Sequence, residues 1–227
     1  MQGVAEVVPV SSSAQLHLLP WLAGWPAVDE RTTFAAGLHL GSAIGLAAAL
    51  RPDSRELADV LPATVPAAVA GLLVRDLVER RLGRPGPTAA LLAAAGLVLL
   101  VADRRPATHP VGRADRAAAG VAQVIALAPG VSRAGATLTA LRLRGVRRDD
   151  ALRASLVMSL PVTVGAAVLT AARSRRTPAF VPSVVAGVAS YATARRVVGT
   201  SRLYSGSALY RLGLAGAVAA RLRKENR

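Results

Sequence analysis

Residues 2–17 read QGVAEVVPVSSSAQLH, a pattern that predicts a helix, a break and a second helix start. Pro9 cannot continue a helix, and it biases Val8 away from the helical region. The three consecutive hydroxyl groups of residues 11–13 are suited to cap a new helix that runs through the leucines after them. We therefore expect one helical piece to end near Pro9 and another to begin at the serines.

A carboxylate precedes this break. Glu6 falls in the last turn of the first helical piece, and Gln2 lies four residues earlier on the same face. A carboxylate that faces hydroxyls and free N–H groups at a helix start is an arrangement that can hold a metal-bound phosphate. The alternative is an N-terminal helix followed by an ordinary capping run of serines, and this stretch alone leaves both readings open.

The composition indicates a membrane protein. The chain has 227 residues, of which 52% are hydrophobic, and it contains no cysteine, which excludes disulfides, cysteine-bound zinc and thiol catalysis. Its apolar residues form long blocks of alanine, valine, leucine and glycine at residues 34–50, 88–102, 155–172 and 179–194. A helix that spans a membrane usually needs about 20 residues, and the lengths of several blocks are at or below that number. We predict an all-α polytopic membrane protein with tilted or re-entrant segments.

The charge of the chain fits the same class. The formal net charge is +15, and arginine supplies nearly all of it, since Lys224 is the only lysine. These arginines fall mostly between the apolar blocks, as expected for loops beside an anionic membrane surface. Only 3% of the residues are aromatic, which leaves little to stack on bases, so we expect no nucleic-acid partner.

A second stretch repeats the pattern of the first. Residues 120–137 read GVAQVIALAPGVSRAGAT, and their first five residues match residues 3–7 with glutamine in place of glutamate. Both copies then run through apolar residues into a proline and at least one serine. A repeat of this kind in a membrane chain predicts one transmembrane domain, 1–227, with two inverted-topology halves of approximately 1–105 and 113–227. The broken helices of the two halves would meet at a central site, with their positive N-terminal ends facing an anion.

Arg133 stands between two apolar runs of the second copy. A charge placed there costs roughly 2.5–3.5 kcal/mol on membrane-insertion scales, so the side chain should face a cavity and a partner. A planar guanidinium is suited to bind phosphate through two parallel hydrogen bonds. The alternative is an arginine that extends from a turn to the membrane interface.

Together the two stretches resemble the undecaprenyl-diphosphate phosphatase family of the bacitracin-resistance type. One family signature is Glu/Gln-x-x-x-Glu running into Pro-x-Ser-Ser, which this chain carries as Gln2, Glu6 and residues 9–12. The other is Pro-Gly-x-Ser-Arg-Ser-x-x-Thr, which residues 129–137 match except for Ala134. Shorter matches follow in the same order at residues 38–42, 61–62 and 210–211.

The resemblance implies an integral membrane phosphatase that removes the terminal phosphate of the C55 polyprenyl diphosphate carrier and returns the monophosphate to peptidoglycan synthesis. Family members depend on a divalent cation, here Mg²⁺ or Ca²⁺. Their site faces the outer side of the bacterial cytoplasmic membrane. The expected partners are the lipid diphosphate and membrane lipids, with a homodimer left open.

The resemblance also implies roles for individual residues. Glu6 would be the catalytic carboxylate that holds the cation or handles the proton, Ser12 the nucleophile or a phosphate ligand, and Arg133 the phosphate clamp. The remaining residues expected at the substrate are Gln2, Ser11, Ser13, Gly130, Ser132, Gly135 and Thr137.

One departure from the family keeps a second function open. The family usually carries a histidine where this chain has Gln15, and glutamine cannot accept a proton at neutral pH. The alternative is a polyprenyl-phosphate carrier or flippase-like transporter that uses the same anion cradle without hydrolysis. Release of phosphate, and its loss in a Glu6→Gln variant, would distinguish the enzyme from the carrier.

Overall fold

The computed structural model describes residues 8–25, 33–173, 180–194 and 203–225. Within these ranges the chain forms nine helices and no β-sheet, which confirms the all-α prediction. The helices are α1 (Ser12–Ala23), α2 (Thr33–Leu50), α3 (Ser54–Leu82), α4 (Pro85–Asp103), α5 (Arg113–Ile125), α6 (Arg133–Leu143), α7 (Arg148–Arg173), α8 (Phe180–Ala194) and α9 (Leu203–Glu225).

Three helices among the described residues are long and apolar enough to cross a membrane: residues 54–74 of α3, all of α4, and residues 148–169 of α7. With 19 residues, α4 is about 29 Å long, close to the thickness of a bilayer's hydrocarbon core. Shorter apolar stretches lie in α2 and α8. The apolar blocks of the sequence therefore become helices, and the chain is a membrane protein.

Two prolines lie inside α3, which continues through both Pro62 and Pro66. Each proline removes one backbone donor from the helix, a change that membrane helices tolerate when neighbouring groups compensate. Thr64, between them, donates its hydroxyl proton to the Leu61 carbonyl at 2.8 Å. The helix thus continues without a break through both prolines.

Small residues let neighbouring helices approach closely. A Cβ atom added to Gly41 of α2 would lie 2.0 Å from the Val184 carbonyl oxygen of α8. Between α3 and α5, a Cβ on Gly120 would lie 2.1 Å from the Ala63 carbonyl oxygen. In a membrane, where lipid is as apolar as the helices, such backbone contact is a main source of association.

The short helix α1 packs near the N-terminal end of α4. Ala14 and Leu18 of α1 share a buried cluster with Leu92 of α4 and with residues 214–218 of α9. At the far end of α1, Arg221 of α9 donates to the Leu22 carbonyl at 2.8 Å and stacks over Trp21 at 4.5 Å from the ring centre. From its start at residue 12, α1 therefore runs toward the N-terminal end of α4.

The short helix α6 runs toward the other end of the same two helices. Leu138 and Leu141 share a second buried cluster with Leu99 of α4 and Tyr204 of α9. At the end of α6, Arg142 donates to the carbonyl of Asp103, the last residue of α4, at 3.2 Å. The two short helices thus leave the middle of the bundle in opposite directions.

Candidate functional site

The starts of α1 and α6 share one unusual local structure. Ser11 and Ser132 are the N-caps of the two helices, with φ angles of 68° and 71°. The Ser11 hydroxyl accepts the Ala14 N–H at 3.4 Å, and the Ser132 hydroxyl accepts the Gly135 N–H at 3.2 Å. A positive φ is uncommon for serine and persists only where the surrounding structure holds it. The same strained cap is therefore built twice.

The two caps face one cleft of about 190 Å³. Six of its eight lining residues are polar, and the eight are Ser11, Ser12, Ser13, His39, Ala126, Ser132, Arg133 and Ala134. Each helix start presents N–H groups that have no partner within the helix and the positive end of the helix dipole. Two such starts, four hydroxyls and one guanidinium make the cleft suited to an anion such as phosphate.

The guanidinium of Arg133 is held from α7. Its Nη1 donates to the Thr163 hydroxyl at 2.8 Å and to the Ser159 carbonyl at 3.1 Å. The side chain is half-buried and lines the cleft at the same time. This placement agrees with an arginine that faces a cavity and not with one that extends to a membrane interface.

Comparison with known proteins identifies the family. The sequence matches the family described as "Bacitracin resistance protein BacA" over residues 1–217. The chain belongs to the BacA family. The "Undecaprenyl-diphosphatase" of Geobacter sulfurreducens is 36% identical over 98% of this chain and 95% of its own length. Two further proteins of that name are similar. The one from Moorella thermoacetica is 37% identical over 74% of this chain and 72% of its own length, and the one from Gemmatimonas aurantiaca is 33% identical over 85% of this chain and 80% of its own length.

Not every residue predicted at the site of this BacA family member lies on the cleft. Ser11, Ser12, Ser13, Ser132 and Arg133 line it. Thr137 lies behind it and is buried. The Thr137 hydroxyl shares a 2.6 Å hydrogen bond with that of Ser155 in α7 and donates toward the Arg133 carbonyl at 3.0 Å. Its contacts connect α6 to α7 beneath the Arg133 backbone.

The two predicted glycines of the second signature make room for neighbouring groups. Gly130 has a φ angle of 98°, and a Cβ there would lie 2.4 Å from the Thr88 carbonyl oxygen of α4. A Cβ on Gly135 would lie 2.3 Å from Nη2 of Arg211 in α9. Both glycines therefore permit close packing, Gly130 in the turn before α6 and Gly135 in the first turn of α6.

Gln2 and Glu6 lie outside the described residues, so their roles stay predictions. Among the residues that the structure does describe, no group of three or more histidine and acidic side chains could hold a metal ion. The cleft lining offers hydroxyl oxygens and His39 but no carboxylate, which is the ligand that Mg²⁺ and Ca²⁺ use most. A cation at this cleft, with Glu6 as its ligand, therefore stays a prediction.

Gln15, at the position of the family's usual histidine, is half-buried on α1 and hydrogen-bonds the side chain of Tyr210 in α9. It is not among the cleft-lining residues. In this chain the position links α1 to α9.

Four residues that contribute to the site were not predicted. His39 and Ala126 line the cleft, and Ser159 and Thr163 hold Arg133. A signal for the last two was available, because they stand four residues apart in an apolar block, as hydroxyls that share one helix face.

Proposed function

We propose that this chain hydrolyses undecaprenyl diphosphate to undecaprenyl phosphate and inorganic phosphate. The observation that carries the proposal is the pair of strained serine caps that face one polar cleft together with Arg133. The names of the similar proteins indicate this same reaction. None of them indicates the carrier alternative, and no contact in the described residues favours it.

The chemistry asked of the cleft is mainly positioning and charge neutralisation, because phosphoryl transfer passes through a loose transition state with charge on the equatorial oxygens. Arg133, fixed by Thr163, would bind those oxygens. The free N–H groups at the starts of α1 and α6 would bind the remaining ones. These groups are in place before substrate arrives, so little reorganisation is needed.

Ser12 would attack the terminal phosphorus or bind the terminal phosphate. It is the first residue of α1, half-buried, and part of the cleft lining. Glu6, four residues after Gln2, would hold a cation or move the proton. A divalent cation such as Mg²⁺ or Ca²⁺, when bound, would neutralise part of the diphosphate charge.

Ser11, Ser13 and Ser132 would orient the diphosphate through their hydroxyls or through the backbone turns that they cap. Gly130 and Gly135 would shape the second turn. Thr137 would act through the Arg133 backbone rather than by contact with the lipid, because it lies behind the cleft.

The topology supports two inverted halves, of approximately 1–105 and 113–227. Equivalent serine caps begin α1 and α6, and the two helices run in opposite directions along α4 and α9. That is the arrangement of broken helices in inverted-repeat membrane proteins. The proposed location is a bacterial cytoplasmic membrane with the cleft toward the outer side, and it rests on the family resemblance. The charges beside α4 do not indicate an orientation, because arginines flank both of its ends.

The test is phosphate release from undecaprenyl diphosphate by detergent-purified protein, with and without EDTA. We expect EDTA to abolish release, Mg²⁺ or Ca²⁺ to restore it, and Glu6→Gln to lack it. Glu225→Gln is the matched control, because Glu225 forms an exposed ion pair with Arg221 at the end of α9. Folded wild-type protein that binds the lipid but releases no phosphate would contradict the proposal and favour the carrier.

A further inference from the structure

Among the residues that the structure describes, two arginines are fully buried, and their surroundings differ. Arg142, at the end of α6, donates to the carbonyls of Asp103, Arg105 and Val146. Its Nε also lies 3.7 Å from the Asp103 carboxylate. Arg142 is thus a buried cation with its charge and most of its donors satisfied, as buried charges usually are.

Arg211, in α9, has no such environment. Its exposed fraction is 0%, and one nitrogen, Nη1, donates to the Val131 carbonyl at 3.3 Å. Its Nε and Nη2 are buried without a hydrogen-bond partner. No ion pair joins it to a carboxylate anywhere in the described ranges. A buried, unpaired cation is strongly unfavourable, so a functional reason for keeping it is expected.

The position of Arg211 supplies that reason. Its guanidinium lies against the turn that carries the second signature, between the Val131 carbonyl and Gly135, whose missing Cβ makes the room. Gly96 of α4 makes room on the other side, where a Cβ would lie 3.3 Å from Cβ of Arg211. Arg133 and Ser132, which line the cleft, belong to the same turn. The unpaired charge therefore lies directly behind the anion cleft.

We propose that Arg211 is a positioning residue of the phosphate site, a buried cation whose charge is neutralised by the bound diphosphate across the turn of residues 131–135. Charges interact over longer distances in a poorly polarisable interior than in water, so contact with the phosphate is not required. The protein would thus hold an uncompensated charge until the substrate binds. The inference builds on the proposed function, because it names the diphosphate as the compensating anion.

The first measurement is the thermal stability of substrate-free protein in detergent. Arg211→Met removes an unpaired buried charge and keeps much of the side-chain volume, so we expect a midpoint equal to or above that of the wild type. Arg142→Met is the matched control. It leaves several buried carbonyls and the Asp103 carboxylate without their partner, so its midpoint should fall. A fall for Arg211→Met as large as that for Arg142→Met would show a merely structural arginine and overturn the proposal.

The second measurement is ligand affinity. We expect Arg211→Met to raise KM for undecaprenyl diphosphate about tenfold or more, the loss of one buried charge interaction. Arg211→Lys keeps the charge, so its KM should lie between that of Arg211→Met and that of the wild type. Inorganic pyrophosphate should raise the melting midpoint of the wild type and of Arg211→Lys, and should do so much less for Arg211→Met. Equal pyrophosphate stabilisation of all three proteins, with an unchanged KM, would refute the role of the charge.

The two proposals can fail separately. A wild type that is stabilised by pyrophosphate but releases no phosphate from the lipid would contradict the hydrolase and still support Arg211 as an anion residue. Normal hydrolysis by Arg211→Met with unchanged KM would retain the hydrolase and contradict the role of Arg211.

Discussion

Thr163 provides a direct test of how Arg133, the proposed phosphate clamp, is held. Its hydroxyl accepts from Nη1 of Arg133 at 2.8 Å, and the Ser159 carbonyl accepts from the same nitrogen at 3.1 Å. Thr163→Val keeps the shape of the side chain and removes only the hydroxyl. A hydrogen bond to a charged group contributes about 1.5–3 kcal/mol. Because Ser159 still holds the guanidinium, we expect a loss near or just below the lower end of that range, about 1–2 kcal/mol.

If the clamp acts on the transition state, the loss should appear in catalysis. A change of 1–2 kcal/mol corresponds to roughly a 5- to 30-fold fall in kcat/KM. The assay is phosphate release over a range of lipid diphosphate concentrations, with the melting midpoint measured on the same samples. Thr64→Val is the control, since the Thr64 hydroxyl donates within its own helix to Leu61 and is part of α3 rather than of the cleft.

The two variants separate catalysis from stability. Both should lower the melting midpoint modestly, and only Thr163→Val should lower kcat/KM beyond twofold. Equal kcat/KM in Thr163→Val and the wild type, with a lowered midpoint, would show that the hydrogen bond stabilises the bundle without orienting the guanidinium. The assignment of Arg133 as a clamp positioned by α7 would then be wrong.

Two further predictions concern the signature turn and a loop at the end of α4. Gly135→Ala places a Cβ 2.3 Å from the Arg211 guanidinium, so we expect phosphate release to fall at least tenfold. Gly213→Ala is the control, because Gly213 has open space around it, and it should be nearly neutral in the same assay. His109 hydrogen-bonds the Pro110 and Arg144 carbonyls through its two ring nitrogens, which requires both to carry protons, and these bonds, more than the nearby Asp115 carboxylate, raise its pKa. The stabilisation is complete below the ordinary pKa of about 6.5 and is lost as the pH rises through the higher pKa of the folded protein. Melting midpoints should therefore show His109→Gln less stable than the wild type at pH 5.5, with a gap that narrows toward pH 8.5; a constant gap would contradict a charged imidazole.

The helical framework was readable from the sequence because it depends on local composition. Apolar blocks without charge become α2, α4, α8 and the C-terminal two thirds of α7; the first turns of α7 also include charged residues, from Arg148 to Arg153. The new helix expected after Pro9 also forms, with Ser11 as its cap. Each of these features is decided within about one or two helical turns of sequence, and propensity and capping rules operate at that range.

The partners within the site could not be predicted in the same way. Arg133 meets Thr163, 30 residues later, and Nη1 of Arg211 meets the carbonyl of Val131, 80 residues away. Such pairs depend on how the helices cross, and the apolar pattern does not specify a crossing in a chain with apolar residues on all helix faces. The positive φ of Ser132 has the same origin, since serine adopts it only where tertiary packing imposes it.

The proposed repeat would explain why one cleft contains both Ser12, the proposed attacking group, and the cationic side chain of Arg133. The caps Ser11 and Ser132 are 121 residues apart, whereas the matched residues Gly3 and Gly120 are 117 apart, so the second half has four additional residues before its helix start. The residue after each cap is a hydroxyl in the first half and Arg133 in the second. A symmetric pair of turns thus carries unlike side chains at equivalent positions.

That difference suits phosphoryl transfer better than two identical halves would. Two helix starts supply the same fixed dipoles from opposite directions, which is enough to bind an anion but does not distinguish its two ends. Ser12 and Arg133 both line the cleft, and in the proposed function they would give the diphosphate a side for attack and a side for charge neutralisation. The first half also carries the one acidic residue of the matched segments, Glu6, where the second half has Gln123. In this proposal the repeated framework would provide binding, and the departures from symmetry would provide the direction of the reaction.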